Sequence, residues 1–174
     1  MKIYTDGACR GNGKDTASGG FGVVVLDDEE NIIDLYSKYC NGTTNNREEL
    51  KAILYAMLKY GRKEYNFSVD EFPPTVYSDS AYCVNTFNDW MFRWANNGWL
   101  KSDKKMPENL DLIQAYFEHY QKGYRIELKK VTGHSGNKWN EMADGLATGR
   151  INPKLEKIKR NLEVIELQGG RVIE

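Results

Sequence analysis

Four acidic residues, Asp6, Glu49, Asp79 and Asp144, fall where a carboxylate could do chemistry. Asp6 follows an alternating apolar and polar run from Lys2 and precedes Gly7 and a glycine-rich turn, so a strand would hold it with open space in front. The bland alternative is an aspartate that closes a turn on its own backbone. Asp79 ends the short run Thr75–Ser78 just before a helical pattern, the kind of junction where open sheets carry functional groups. Glu49 lies at the start of a helix, and Asp144 shares a helix face with Asn140 and Glu141 through spacings of three and four. None has an evident basic partner one helical turn away. Four converging carboxylates would repel one another unless cations lay between them, and hard oxygen ligands suit magnesium or manganese. Two such ions about 4 Å apart activate a water and stabilise the leaving oxygen of a phosphodiester in an in-line displacement. Periodicity alone does not show that the four converge.

The elements that must position them are legible in turn. Three β-rich segments read as an antiparallel meander joined by turn residues: a strand from Lys2 that ends at Asp6 and runs into a glycine-rich turn through Asn12, Phe21–Leu26 after the run Thr16–Gly20, and Ile32–Cys40. After the polar stretch Asn41–Arg47, the positions Leu50, Ile53, Leu54, Met57 and Leu58 predict an amphipathic helix that Gly61 ends. At about 100° per residue Glu49 sits beside that stripe, whereas Glu48 points to the opposite, watery side as a helix-start acid. Arg62–Pro73 is a connection without a clear assignment. Thr75–Ser78 is a short buried strand, with helix from Ala81. Asp111–Gln121 is expected to be a helix with Leu112, Ala115, Tyr116 and Tyr120 inward, and Tyr124–Val131 a strand. Thr132–Asn137 is a loop before the helix of Asp144, and a last helix runs from Lys154 to about Leu162 with a loose end. This order calls for a mixed sheet with helices packed on it, an α/β fold.

The bounds agree with that picture. At 174 residues, with 40% hydrophobic and 28% charged side chains, the chain fits one domain with a real core. A net charge of −1 excludes a broad electrostatic grip on nucleic acid and leaves room for a local basic patch. The chain enters its first strand without a basic-then-apolar leader and has no apolar run of bilayer length, so a cytoplasmic location is expected. Cys9, Cys40 and Cys83 fit neither a disulfide framework nor paired zinc-ligand spacing, and reduced, packed thiols are expected.

Six separated motifs now stand together: Thr5-Asp6-Gly7 with Asn12, Thr43–Leu50, Ser78-Asp79-Ser80, Asp103-Lys104-Lys105, Gly133–Gly136 and Asn140–Asp144. In order and spacing they resemble type 1 ribonuclease H over Met1–Arg150. The resemblance implies a five-stranded mixed sheet, three antiparallel strands then parallel ones, with helices on both faces. It implies a catalytic domain at 1–150 and a C-terminal extension at 151–174.

The same resemblance implies an endonuclease that hydrolyses the RNA strand of an RNA–DNA hybrid and leaves 3′-hydroxyl and 5′-phosphate ends. Asp6, Glu49, Asp79 and Asp144 match the metal-binding carboxylates, for two magnesium ions with manganese as the alternative, and His134 matches a loop histidine that assists proton movement or product release. Asn12, Asn45 and Asn46 match nucleic-acid contacts, although turn and helix-cap chemistry would also use them. Tyr82 and Trp90 match aromatics that pack on DNA sugars, and Thr44 and Asn109 match a DNA-phosphate pocket. Arg93, Lys101, Lys104 and Lys105 resemble a basic protrusion beside the tryptophans, whereas Trp94 and Trp99 read as core and His119 carries no role. Gly42, where some relatives have arginine, and Asn96-Asn97, where many are basic, depart from the pattern and bear on affinity. A monomer is expected. The rival readings are a hybrid-binding module without turnover and a related metal nuclease acting on DNA.

Overall fold

The structure, a computed structural model, describes residues 1–12, 14–63, 72–132 and 136–167. Strands β1 (Lys2–Arg10), β2 (Ser18–Leu26) and β3 (Ile32–Asn41) form the expected antiparallel meander. Helix α1 (Asn45–Tyr60) leads to the short strand β4 (Arg62–Lys63), and β5 (Thr75–Ser78) then adds to β1 in parallel. A helical stretch follows, α2 (Ala81–Asn85) and α3 (Met91–Asn96) joined by a π-helical turn at Thr86–Trp90. After α4 (Leu110–Gln121) come β6 (Tyr124–Arg125) and β7 (Glu127–Lys130), then α5 (Lys138–Thr148) and α6 (Pro153–Leu167). The main sheet has five strands in the order β3-β2-β1-β5-β7, with the last pairings parallel.

Both faces of this sheet are covered, which is why β2 reads as an unbroken apolar run instead of an alternation. Val23 and Val25 join Ile3 under α1, α3 and α4, in a core with Leu50, Ile53, Met57, Phe87, Met91, Ile113 and Tyr116. Val24 and Leu26 join Tyr4 and Leu35 under α5, against Trp139, Ala143 and Leu146. Trp94 and Trp99 pack against the larger core, half-buried.

Several expectations need correction. The segment Tyr124–Val131 is not one strand: residues 124–125 pair with β4 in a separate ladder and only Glu127–Lys130 joins the sheet. The neighbouring strand β5 is four residues long, so the earlier part of the segment has no sheet edge to bond. In α4 the buried positions are Ile113 and Tyr116, because the Tyr116 ring stacks on Phe87 at 4.0 Å and turns the helix toward the π-turn. Leu112, Ala115 and Tyr120 are half-buried flanks. In α1, Leu58 is 53% exposed while Glu48 is fully buried. The buried arc also carries Ala52 and Ala56, small residues that let α1 approach the sheet closely. A reading weighted toward large apolar side chains centres that arc on the wrong side.

Helix α6 begins one residue earlier and runs five further than expected, with the Asn152 side chain accepting from the amides of Lys154 and Leu155 at its start. It is tied back to β3 through Asp34, whose carboxylate accepts from Lys157 at 3.0 Å, Lys59 at 3.1 Å and the Tyr60 hydroxyl at 2.7 Å. Burial alone would raise this carboxyl, but those donors outweigh it and hold it at about 2, below the ordinary 3.8. A depressed carboxylate stabilises the fold above its unfolded value and loses that contribution as pH falls toward its folded value. Asp34→Asn is therefore expected to cost about 1 kcal/mol at pH 7, and the difference from the parent should fade between about pH 4 and pH 2. Urea midpoints across that range test it, and a penalty that persists at pH 2 would assign the loss to packing.

Candidate active site

Asp6 lies inside β1 and not at its end, since the antiparallel pairing with β2 continues to Arg10. The space in front of it has another origin. On its other edge β1 pairs with β5 only through Tyr4, and β5 stops at Ser78, so the edge beside Asp6 is left open where the chain turns into α2. Asp79 occupies that turn, directly before Ser80, whose hydroxyl caps α2 by accepting from the Cys83 amide at 3.2 Å. Glu49 enters from α1, whose start is fixed by the Thr44 hydroxyl accepting from the Arg47 amide at 3.1 Å. Gly7 permits this approach, because a Cβ there would run into the backbone of Glu48 and Glu49. Asp144 sits on α5, whose first turn is capped by the Asn137 side chain accepting from Trp139 and Asn140.

One oxygen from each of Asp6, Glu49 and Asp79 lies within 4.8 Å of the others, with Asp6 and Glu49 buried. Asp144 adjoins Asp6, near enough for its negative charge to act on that carboxyl, and lies outside the tight trio. Burial, with the negative charges of Asp79 and Asp144, pushes the Asp6 carboxyl up to about 7. Burial and the charge of Asp6 likewise drive Glu49 well above the usual carboxylate range, and its Oε2 is buried without a hydrogen-bond partner. Like charges held this way favour either a shared proton or a cation among the oxygens. Hard, partly unsatisfied oxygens at an open sheet edge fit a divalent cation of the magnesium or manganese type. Asp144 has a basic partner beyond the reach of helical spacing: its Oδ2 lies 2.6 Å from a guanidinium nitrogen of Arg150, past the end of α5.

The residues expected to meet nucleic acid fall into local groups. Asn12 accepts from the Asn45 amide at 2.9 Å, so its side chain caps α1 while Asn45 and Asn46 stay exposed. Arg47 sets its fork on Asp111 at 2.6 and 3.0 Å and reaches Asn109 at 3.4 Å. The Tyr82 hydroxyl also interacts with Asn109, which brings Thr44, Arg47, Tyr82 and Asn109 together. The Trp90 ring lies 6.3 Å from Tyr82 and 6.0 Å from Trp94. Arg93 pairs with Asp89 at 3.1 Å, and Lys101 lies 3.9 Å from Asp103, while Lys104 and Lys105 point into solvent. The basic loop is thus partly neutralised by its own acids. His134 lies outside the described residues, as do residues 64–71 of the connection after β4.

Spacing arguments missed three groups that the fold brings to this region: Arg47 with Asp111, Arg150 with Asp144, and Glu48 with its partners. The Glu48 carboxylate accepts from Lys51 at 3.1 Å and from the Cys40 thiol at 2.8 Å. Only the Lys51 pairing, three residues on, was readable as a helical neighbour.

Comparison with known proteins agrees with the site. The RNase H family profile matches residues 1–152. Ribonuclease H of Caldanaerobacter subterraneus subsp. tengcongensis is 38% identical over 158 residues, covering 90% of this chain and 94% of the relative. Ribonuclease H of Haemophilus influenzae is 37% identical over 157 residues, covering 90% and 93%. Among solved structures, LC9-RNase H1, described as a type 1 RNase H with the type 2 active-site motif, superimposes with a TM-score of 0.63 at 27% identity, over 85% of this chain and 70% of that one. LC11-RNase H1, solved in complex with an RNA/DNA hybrid, has the same fold, with a TM-score of 0.57 at 23% identity over 85% of this chain and 94% of that one. Sequence likeness over nearly the full length, and a sheet whose open edge gathers the matching carboxylates, place the chain in the ribonuclease H family, in its type 1 branch.

Proposed function

We propose that the chain hydrolyses the RNA strand of RNA–DNA hybrids, leaving 3′-hydroxyl and 5′-phosphate ends, with divalent cations held by Asp6, Glu49, Asp79 and Asp144. The observation that carries this reading is the carboxylate trio within 4.8 Å beside the end of β5, with Asp6 and Glu49 buried and Asp79 partly exposed. Asp6, Glu49, Asp79 and Asp144 would hold two cations, magnesium in the first instance and manganese as the alternative, which would supply water activation and charge neutralisation at the leaving oxygen.

The protein's own groups do the positioning. Thr44, Arg47, Tyr82 and Asn109 converge on a spot suited to a DNA phosphate, with the N-terminal end of α1 adding its partial positive charge. Asn12, Asn45 and Asn46 line the same helix start with amides, and amides both donate to and accept from a 2′-hydroxyl or a base edge. Trp90 and Tyr82 offer faces for sugars, and Arg93, Lys101, Lys104 and Lys105 meet the backbone of the duplex. His134 serves proton movement or product release.

Residues 1–150 act as the catalytic domain and 151–174 as an extension. The enzyme works as a monomer in the cytoplasm; among the described residues no helix is long and apolar enough to cross a membrane.

The test is cleavage of end-labelled RNA–DNA hybrid beside RNA–RNA and DNA–DNA duplexes, with magnesium, with manganese and with chelator. Metal-dependent cutting of the hybrid's RNA strand alone is the expected result. Binding without cutting would make the chain a hybrid-binding module, and cutting of the DNA duplex would make it a DNA nuclease.

A further inference from the structure

We propose that Arg150 is a positioning residue that holds Asp144 back from the cation site and so sets the metal concentration at which that carboxylate engages. The inference rests on the reading of Asp144 as a cation ligand. Asp6, Glu49 and Asp79 already share one small volume, whereas Asp144 adjoins Asp6 and commits its Oδ2 to Arg150 at 2.6 Å.

The arginine is not a loose surface charge. Its Nε donates to the Thr148 hydroxyl at 3.2 Å, and that hydroxyl donates to the Asp144 carbonyl oxygen at 3.0 Å, so guanidinium, hydroxyl and carboxylate form a closed set on the last turn of α5. The turn depends on Gly149, which ends the helix at φ 81° and folds Arg150 back over it. The negative end of α5 favours a cation at that place. Ile151 holds the return, its amide donating to the Gly145 carbonyl at 2.9 Å and its side chain covering Gly145.

For metal loading, the Asp144 oxygen that Arg150 occupies must be released before that carboxylate turns fully toward Asp6. Arg150 therefore acts as an internal competitor for the metal. The side chain is 65% exposed and Asp144 36%, so the competition is that of a half-solvated pair, worth a few-fold in affinity.

Manganese binding to the whole chain, read by water-proton relaxation without substrate, tests this. Arg150→Ala is expected to bind manganese about fivefold more tightly than the parent, and Arg150→Lys to lie near the parent. Asp144→Asn should weaken binding, and Arg150→Ala added to it should change nothing further. An Arg150→Ala protein with unchanged or weaker affinity would overturn the inference. So would the same tightening in the Asp144→Asn background, which would mean a general effect of net charge. If Asp144→Asn binds manganese as the parent does, Asp144 is no ligand and the reading of the site itself fails along with the inference.

Discussion

Asp6→Asn is expected to lower hybrid cleavage by about 10³-fold or more and, in the same protein, to raise the stability of the metal-free fold at pH 8. The first effect follows if Asp6 holds cations that act in the transition state. The second is physical and independent of turnover. The Asp6 carboxyl titrates near 7 in the fold against an ordinary 3.8, chiefly because it is buried and faces Asp79 and Asp144. The folded state thus binds the proton more tightly than the unfolded chain does, and stability falls as pH rises from about 4 to about 7, then levels. At pH 8 the penalty is at most about 4 kcal/mol. Asparagine removes it, so the metal-free variant should melt above the parent at pH 8 and with it at pH 4. Magnesium should reverse the order by stabilising the parent more than the variant. A variant that melts below the parent at pH 8 would mean that Asp6 is not held against its charge.

Lys51→Met should cost about 3 kcal/mol, and Glu48→Met less than about 1 kcal/mol. The asymmetry follows from burial. Glu48 is 1% exposed and cannot reach water if its partner is removed, whereas Lys51 at 24% can carry its ammonium outward along the helix surface. Losing Lys51 leaves a charge stranded between β3 and α1, with the Cys40 thiol as its remaining donor. Losing Glu48 leaves an apolar side chain of similar volume beside Ala52. The double variant should recover most of the loss, and urea denaturation of the four proteins measures the coupling. Equal costs for the two single variants would sink this account.

Some of this was readable from order and spacing alone. Alternation and turn residues located β1, β2 and β3, though β1 runs on past Asp6 to Arg10 and β2 begins at Ser18, and the helical periods located α1 and α5, because those signals are local and each strand or helix repeats them several times. The motifs around Asp6, Glu49, Asp79 and Asp144 were found the same way. Their number and order carried the family resemblance that full-length comparison bears out. Helix geometry put Glu49 on the side of the sheet, where it joins Asp6 and Asp79, but put Glu48 in water, where it is in fact buried.

What local pattern could not supply is burial set by partners far along the chain. Glu48 looked solvated because the arc of α1 was weighed by its large apolar residues, while the sheet is met through Ala52 and Ala56. The π-turn at Thr86–Trp90, which sets where Trp90 points, has no repeating pattern to detect. Arg150 reaches Asp144 across six residues only because Gly149 breaks the helix between them.

The sequence by itself thus determined the longer elements, their order and which carboxylates they carry, since backbone preference and apolar period act over a few neighbouring residues, while β4, the π-turn and the split of β6 from β7 lay beyond it. The tertiary structure alone decided that Asp6, Glu49 and Asp79 share one volume, that Asp6 faces an open edge because β5 stops short, and that Asp144 is held by a guanidinium. Those distances arise from the pairing of strands and the packing of helices across the whole chain, where the energy of a charge depends on what lies opposite it.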